Sequence, residues 1–309
     1  MRLKSLFIIV SLLLLTSGAF AVESPQSGLT QIADGVYGYV GQPSGSPFNR
    51  FGANVGVIIG DDAVLVVDTL TSAREAEQLV ADIKKITDKP IRYVVNTHYH
   101  LDHALGNNVF DDMGSVIIAH ELCRDKMISM ELKNLKPEMF GLEPDFWEGT
   151  RVAAPDITFI REYKINLGNM PVKVIHSGVP SHSAGSVVVV VPERDVIFTG
   201  DILFTDFHPY LGEGDFAGWN QTLDLIASMN IKNIIPGHGP LSDNQDLIDM
   251  KEYLALFDAK ALELTATMSD PAEISAEMLK VLPQRKDGAF IVGMNIGMRY
   301  LAKPEGNYE

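Results

Sequence analysis

Runs of β-branched and apolar residues, each closed by turn residues, recur through the first 240 positions of the chain, with amphipathic segments between them. That alternation predicts an α/β fold rather than an all-helical or all-strand one. The clearest helix follows Ser72-Ala73-Arg74-Glu75, which reads as a capping box. Ala76, Leu79, Val80, Ile83 and Ile86 then recur at three- and four-residue spacing and lay one face on a sheet. Ile91 to Val95 reads as the next strand. Laying Asn54 to Asp68 beside Ser186 to Asp201 exposes a weak internal repeat: each stretch reads as a hairpin ending in an aspartate. An amphipathic helix follows each one, over about 72–87 and about 217–229, then a strand, then a histidine at its end, His98 or His238. Two β-rich halves, each with one helix-covered face, bury most surface by packing sheet on sheet with helices outside. Strand-end histidines and aspartates then meet along one edge.

Two segments fall outside the repeat. Residues 121–155 are rich in Met, Leu, Phe and Trp without strand periodicity, which predicts a helical insertion, either ordinary packing or a lid. After Pro240 the pattern is helical to about Met268, breaks at Ser269-Asp270-Pro271, and resumes to about Leu301.

At the start of the chain, Arg2 and Lys4 precede an apolar run from Leu6 to Leu15, and Ala19-Phe20-Ala21 supplies small residues for cleavage. This is the pattern of a signal peptide over residues 1–21, predicting an exported, periplasmic protein without stable membrane insertion after cleavage. The remainder divides into one large domain over 22–245 and a helical extension over 246–309. A hydrophobic content of 46% supports one large core. The charge balance, 25 Lys and Arg against 40 Asp and Glu, disfavours nucleic acid and points to a small-molecule substrate. Cys123 is the only cysteine, so no intrachain disulfide forms, and its expected role is that of a small buried apolar residue. Oligomeric state is left open by the sequence.

The chemistry concentrates after the strand Ile91 to Val95, where Asn96-Thr-His-Tyr-His-Leu-Asp-His103 places three histidines and one aspartate within six residues. His98 and His100, two apart, point to the same side of an extended backbone and can grip one ion; Asp102 and His103 lie where a turn aims them at a second. Imidazole with carboxylate suits zinc, and also iron or manganese. His182 before one buried strand, His238 after another, and Asp201 in Thr199-Gly-Asp201 complete the set. Glycines beside Asp201 and His238 permit the tight turns this needs.

In this order and context, His98-x-His100-x-Asp102-His103, His182, Asp201 and His238 resemble the metallo-β-lactamase fold superfamily, over roughly residues 30 to 245. The resemblance implies a four-layer αββα sandwich with a metal site at one edge. It further implies two Zn2+ ions per chain. His98, His100 and His182 would hold the first, Asp102, His103 and His238 the second, with Asp201 bridging and Asp68 orienting ligands from behind. Asp201 stands where one β-lactamase branch carries cysteine and another commonly lacks the bridge, so the set looks more like glyoxalase-II-type thioesterases and lactonases. The lactonase-type tyrosine just beyond the bridging aspartate is missing, and no glutathione-binding tail is recognisable. The implied reaction is attack on an ester-like carbonyl (thioester, lactone or β-lactam) by a water activated between the ions, with Asp102 and Asp201 as catalytic carboxylates. The alternatives are an iron-dependent redox enzyme, a β-lactamase proper, and a non-catalytic accessory protein. Phe51, Phe207, His208 and Tyr210 are the candidate substrate contacts; His120 and His176 are expected to be structural.

Overall fold

The computed structural model describes residues 28–301, so the expected signal peptide lies outside the described residues. Two sheets form the centre. The first runs in chain order through β1 (Thr30–Ala33), β2 (Val36–Tyr39), β3 (Val55–Ile59), β4 (Val64–Val67), β5 (Ile91–Val95), β6 (Val116–His120) and β7 (Ile157–Phe159). It is antiparallel as far as β4 and parallel beyond. The second comprises β8 (Glu162–Asn166), β9 (Pro171–Ile175), β10 (Val188–Val191), β11 (Val196–Phe204) and β12 (Asn233–His238), ordered β12-β11-β10-β9-β8.

The internal repeat is visible as structure. β3 and β4 form an antiparallel hairpin, helix α1 (Ala73–Lys84) crosses over, and β5 pairs parallel to β4. In the second half β10 and β11 form the hairpin and β12 pairs parallel to β11. Buried strands read as continuous apolar runs because both faces are covered, and the run Val187–Val191 shows how they divide. Val187, Val189 and Val191 enter the core between the sheets, against Val36, Ile58, Leu65 and Val67 of the first sheet. Val188 and Val190 point the other way, into the helix layer. Likewise Val64 and Val66 face α1, meeting its Ala76, Leu79 and Ile83. The period of two assigns alternate side chains to opposite layers, and the result is the expected αββα sandwich.

Short helices α2 (Leu101–Ala104) and α3 (Asn107–Asp112) follow β5, and α4 (Glu121–Ser129) follows β6. On the second sheet the outer layer combines α5 (Phe216–Ser228) with α6 (Asn244–Thr265), α7 (Pro271–Val281) and α8 (Ala289–Asn295). Trp219 and Leu223 of α5 share one cluster with Met250, Tyr253 and Phe257 of α6, Ile274 of α7 and Val292 of α8. The C-terminal helices are therefore continuous with the core, and the break before α7 is capped by Asp270 with Pro271 in the first turn.

Two local expectations change. The segment 121–155 is helical only in α4 and in two short 3-10 turns, Leu132–Asn134 and Pro137–Phe140. Pro137, Gly141, Pro144 and Gly149 interrupt any longer helix, and the apolar residues pack as loop side chains instead. At α1, Ser72 accepts from the Glu75 amide as a cap should. Glu75, however, turns to the Arg50 and Thr71 amides and leaves the capping box half made.

Candidate metal centre

At the end of β5 the chain leaves the sheet through Asn96, Thr97 and His98, and His100 becomes the N-cap residue of α2. That helix carries Asp102 and His103. His182 stands in the loop before β10, Asp201 sits within β11, and His238 is the last residue of β12. All seven sequence-predicted ligands meet at this edge. They fall into two groups whose donor atoms lie within 4.8 Å of one another: His98, His100, His182 and Asp201, and then Asp102, His103 and His238.

Within the first group His100 Nδ1 is 3.0 Å from His98 Nε2 and 2.9 Å from His182 Nε2. Asp201 Oδ2 lies 3.7 Å and 3.5 Å from the same two Nε2 atoms. Its other oxygen, Oδ1, is 3.0 Å from His103 Nε2 and 3.5 Å from His238 Nε2. One carboxylate thus presents one oxygen to each group. Asp102 Oδ2, partly open to solvent, is 3.2 Å from His238 Nε2 and 3.7 Å from His103 Nε2.

The outer hydrogen bonds set the tautomers. Thr97 donates its hydroxyl to Asp68 Oδ2 at 2.7 Å, so its oxygen accepts from His98 Nδ1 at 3.1 Å and leaves the Nε2 lone pair facing inward. His103 Nδ1 donates directly to Asp68 Oδ2 at 2.8 Å, with the same result. His100 Nε2 is 2.8 Å from Glu213 Oε1, which turns its Nδ1 inward. Three imidazole lone pairs and a carboxylate oxygen converging within 4.8 Å repel one another unless a cation lies among them. His103 Nε2 and Asp201 Oδ1 are buried without a hydrogen-bond partner, which suits donor atoms kept for a cation. Nitrogen donors with a shared carboxylate suit zinc, and the residues present fit a metal pair.

The electrostatics differ between the two donor groups, with neutral rings in the first and a ring that holds its proton beside the carboxylates in the second. Burial, and then the neighbouring His103, keep His98 neutral, and burial lowers His182 to about 3. Burial opposes charge on His103 too, but Asp201, Asp102 and Asp68 outweigh it and raise the ring well above its usual value. Asp201 is held well below the usual carboxylate range: burial opposes ionisation, and His103, His238 and His98 prevail.

Backbone geometry is specialised here. Asp68 and Leu70 both have positive φ, 64° and 66°, a conformation that Leu adopts at a cost. A Cβ on Gly237 would stand 1.9 Å from Asp201 Oδ1, so only glycine lets β12 pass the carboxylate. Asn54 secures the same turn, donating to the carbonyls of Pro236 at 2.9 Å and Gly239 at 2.8 Å.

The candidate substrate contacts separate. Tyr210 borders the site, its ring centroid 5.3 Å from that of His100 and 6.1 Å from that of His182. Phe51 packs edge-on against Phe140 at 6.1 Å, in a cluster with Leu101 and Trp147, so the 121–155 segment joins the 42–51 loop beside the metal-binding turn. Phe207 is buried against the His238 ring at 4.6 Å. His208 is buried and bonded to Tyr253 of α6 at 2.8 Å, with no metal donor beside it. His120 and His176 stack at 4.1 Å, and each gives a ring nitrogen to a backbone carbonyl, of Ile160 and Ala184 respectively. Sequence reasoning missed Glu213 and Tyr99, which hydrogen-bond each other. Glu213 is drawn down to about 2: burial resists its charge, and the His100 ring and Tyr99 hydroxyl overcome it. Its one sequence signal was an acidic residue between two glycines, just after Asp201's strand.

Comparison with known proteins places this edge in context. The family model of the metallo-β-lactamase superfamily matches residues 48–238. A linear primary-alkylsulfatase of Pseudomonas sp. is 24% identical over 61% of this chain, which spans 42% of that relative's length. Acyl-coenzyme A thioesterase MBLAC2 of Bos taurus is 26% identical over 60% of this chain and 72% of the relative. Among solved structures, a metallo-β-lactamase from Pontibacter korlensis superimposes with a TM-score of 0.60 at 20% identity. That alignment covers 74% of this chain and 99% of the other, a likeness of fold alone.

Proposed function

The chain belongs to the metallo-β-lactamase superfamily, and we propose that it is a metal-dependent hydrolase that holds two zinc ions and cleaves an ester-like carbonyl bond in a small molecule. A thioester is the first choice of substrate, ahead of a lactone or a β-lactam. The observation that carries this reading is Asp201, whose two oxygens face the two donor groups separately. A bound cation pair supplies an activated water and an electrophile for the carbonyl oxygen.

The remaining work falls to the chain's own residues. Asp102 is the one ligand carboxylate partly open to the cleft, at 18% exposure, and stands where it can orient a water and accept its proton. Tyr210, whose ring stands beside His100, and the cluster of Phe51, Phe140 and Leu101 next to the metal-binding turn offer apolar surface that would suit an acyl group. Cys123 offers no competing nucleophile, because burial among Ala104, Ala119 and Met127 pushes its thiol up and keeps it protonated. The leader read at residues 1–21 supports an exported enzyme.

The test is a metal count on the purified protein by inductively coupled plasma mass spectrometry, with assays on a thioester, a lactone, nitrocefin and an alkyl sulfate. About two zinc per chain with thioester turnover, both lost in His100→Ala, is the expected result. Turnover of the sulfate alone would move the substrate to the alkylsulfatase class. About one iron without hydrolysis would replace the reading by a redox enzyme, and no metal by an accessory protein.

A further inference from the structure

Outside the ligands, one acidic side chain touches the site from a loop that the C-terminal helices hold. We propose that Glu213 positions His100 for metal binding, and that the C-terminal extension acts on the first ligand group through the loop carrying Glu213.

The inference rests on the reading of His100 as a ligand. His100 binds through Nδ1 only if Nε2 keeps the proton, and Glu213 Oε1 accepts that proton's hydrogen bond at 2.8 Å. The Tyr99 hydroxyl donates to the same oxygen and fixes that end of the carboxylate, and Lys126 Nζ stands 3.9 Å from the other oxygen. His98 and His103 are oriented from inside the fold by Asp68, which is buried. His100 is the partly exposed member of the group, and its orienting carboxylate comes from a surface loop.

That loop does not stand by itself. Asn295 of α8, fully buried, accepts from the Leu211 amide at 2.7 Å and donates to the Pro209 carbonyl at 2.8 Å. Arg299 donates to the Gly214 carbonyl at 2.7 Å while its guanidinium lies 3.9 Å above the Phe216 ring. From Ser181 comes a further tie, its carbonyl accepting from the Asp215 amide at 2.8 Å. Glu213 therefore lies between fastened points on both sides. A shift of the extension moves the carboxylate and releases the His100 ring.

The test uses the full chain with Glu213→Ala, Glu213→Gln, Asn295→Ala and Arg299→Ala, reading zinc retained against a graded chelator and the visible spectrum of the cobalt-loaded protein. Glu213→Ala should lose one of two cations with about 10- to 100-fold weaker affinity and an altered cobalt spectrum. Glu213→Gln keeps a carbonyl acceptor for the ring N–H and should recover most of that loss. The two extension variants should weaken the same cation, Arg299→Ala serving if Asn295→Ala does not fold. Unchanged melting of the chelated Glu213→Ala protein supports a role toward the metal. Wild-type affinity and spectrum in Glu213→Ala overturn this inference alone. A wild-type chain that takes up no cation, or a His100→Ala chain that keeps both, overturns the ligand reading and this inference with it.

Discussion

Asp68 Oδ2 accepts from His103 Nδ1 at 2.8 Å and, at 2.7 Å, from the Thr97 hydroxyl that in turn meets His98, so one buried carboxylate orients a histidine in each donor group. Its other oxygen takes the Thr97 amide at 2.7 Å, so every partner is a donor. Asp68→Asn keeps the size and tolerates the positive φ of 64°, but must turn an amide N–H toward one of those donors. Zinc affinity should fall about 10- to 100-fold. Chelator competition measures it, and wild-type affinity in this variant would show that Asp68 does not orient the site.

Asp68 and Asp201 also show how far the sequence reaches. Asp68 directly follows the second strand of its hairpin, whereas Asp201 lies inside β11, which runs on to Phe204; a helix and a strand leading to a histidine follow each, and that repeat was readable because strand and helix periods leave marks on local composition. Why one aspartate supports and the other faces the donor atoms depends on neighbours distant in sequence: Gly237 makes room for Asp201, while His103 and Thr97 enclose Asp68. The gathering of His98, His100, Asp102 and His103 at one edge was legible from their density and spacing. Glu213 was not, because nothing near it in sequence announces a partner 113 positions away. The stretch 121–155 misled for a related reason: its apolar residues serve a loop cluster with Phe51 and Leu101, which has no period to read.

Gly237→Ala tests the tight passage of β12 past Asp201. The added Cβ would meet Asp201 Oδ1 at 1.9 Å and its backbone nitrogen at 2.7 Å, and β11 has no slack to give. The carboxylate must swing out of its position between the donor groups. Hydrolysis should drop at least 100-fold with loss of bound zinc, while Gly297→Ala, where a Cβ meets nothing within 4 Å, should match wild type. Full activity in Gly237→Ala would mean that Asp201 is not held where the structure places it.

Asp287 gives the fold a pH dependence with a definite sign. Burial opposes its charge, but its carboxylate accepts from the Ser44 amide at 2.7 Å, the Ser44 hydroxyl at 2.6 Å and the Gly288 amide at 2.7 Å, and it is held below its ordinary value. A carboxyl depressed in the folded state adds stability above its unfolded value, about 3.9, and loses it as pH falls through the folded value. Asp287→Asn should therefore melt below wild type at pH 7, with the gap closing under about pH 4. Thermal melts across that range check it; a gap that widens with acid would reverse the assignment.

Removing the cations should destabilise the fold as well as silence it. Without them, the convergent ring nitrogens and the Asp201 oxygens lose the charge they face, and His103 Nε2 and Asp201 Oδ1 remain buried without hydrogen-bond partners. A ligand that binds only the folded chain stabilises it by about 4 kcal/mol at a thousand times its dissociation constant. Chelation should then lower the melting temperature by several degrees, and stoichiometric zinc should restore it. In His100→Ala and Asp201→Ala the zinc-dependent part of that shift should shrink, more in Asp201→Ala because its carboxylate faces both groups. Differential scanning fluorimetry with and without chelator gives the comparison directly. Equal zinc-dependent shifts in wild type and Asp201→Ala would mean that the metals bind somewhere other than this edge.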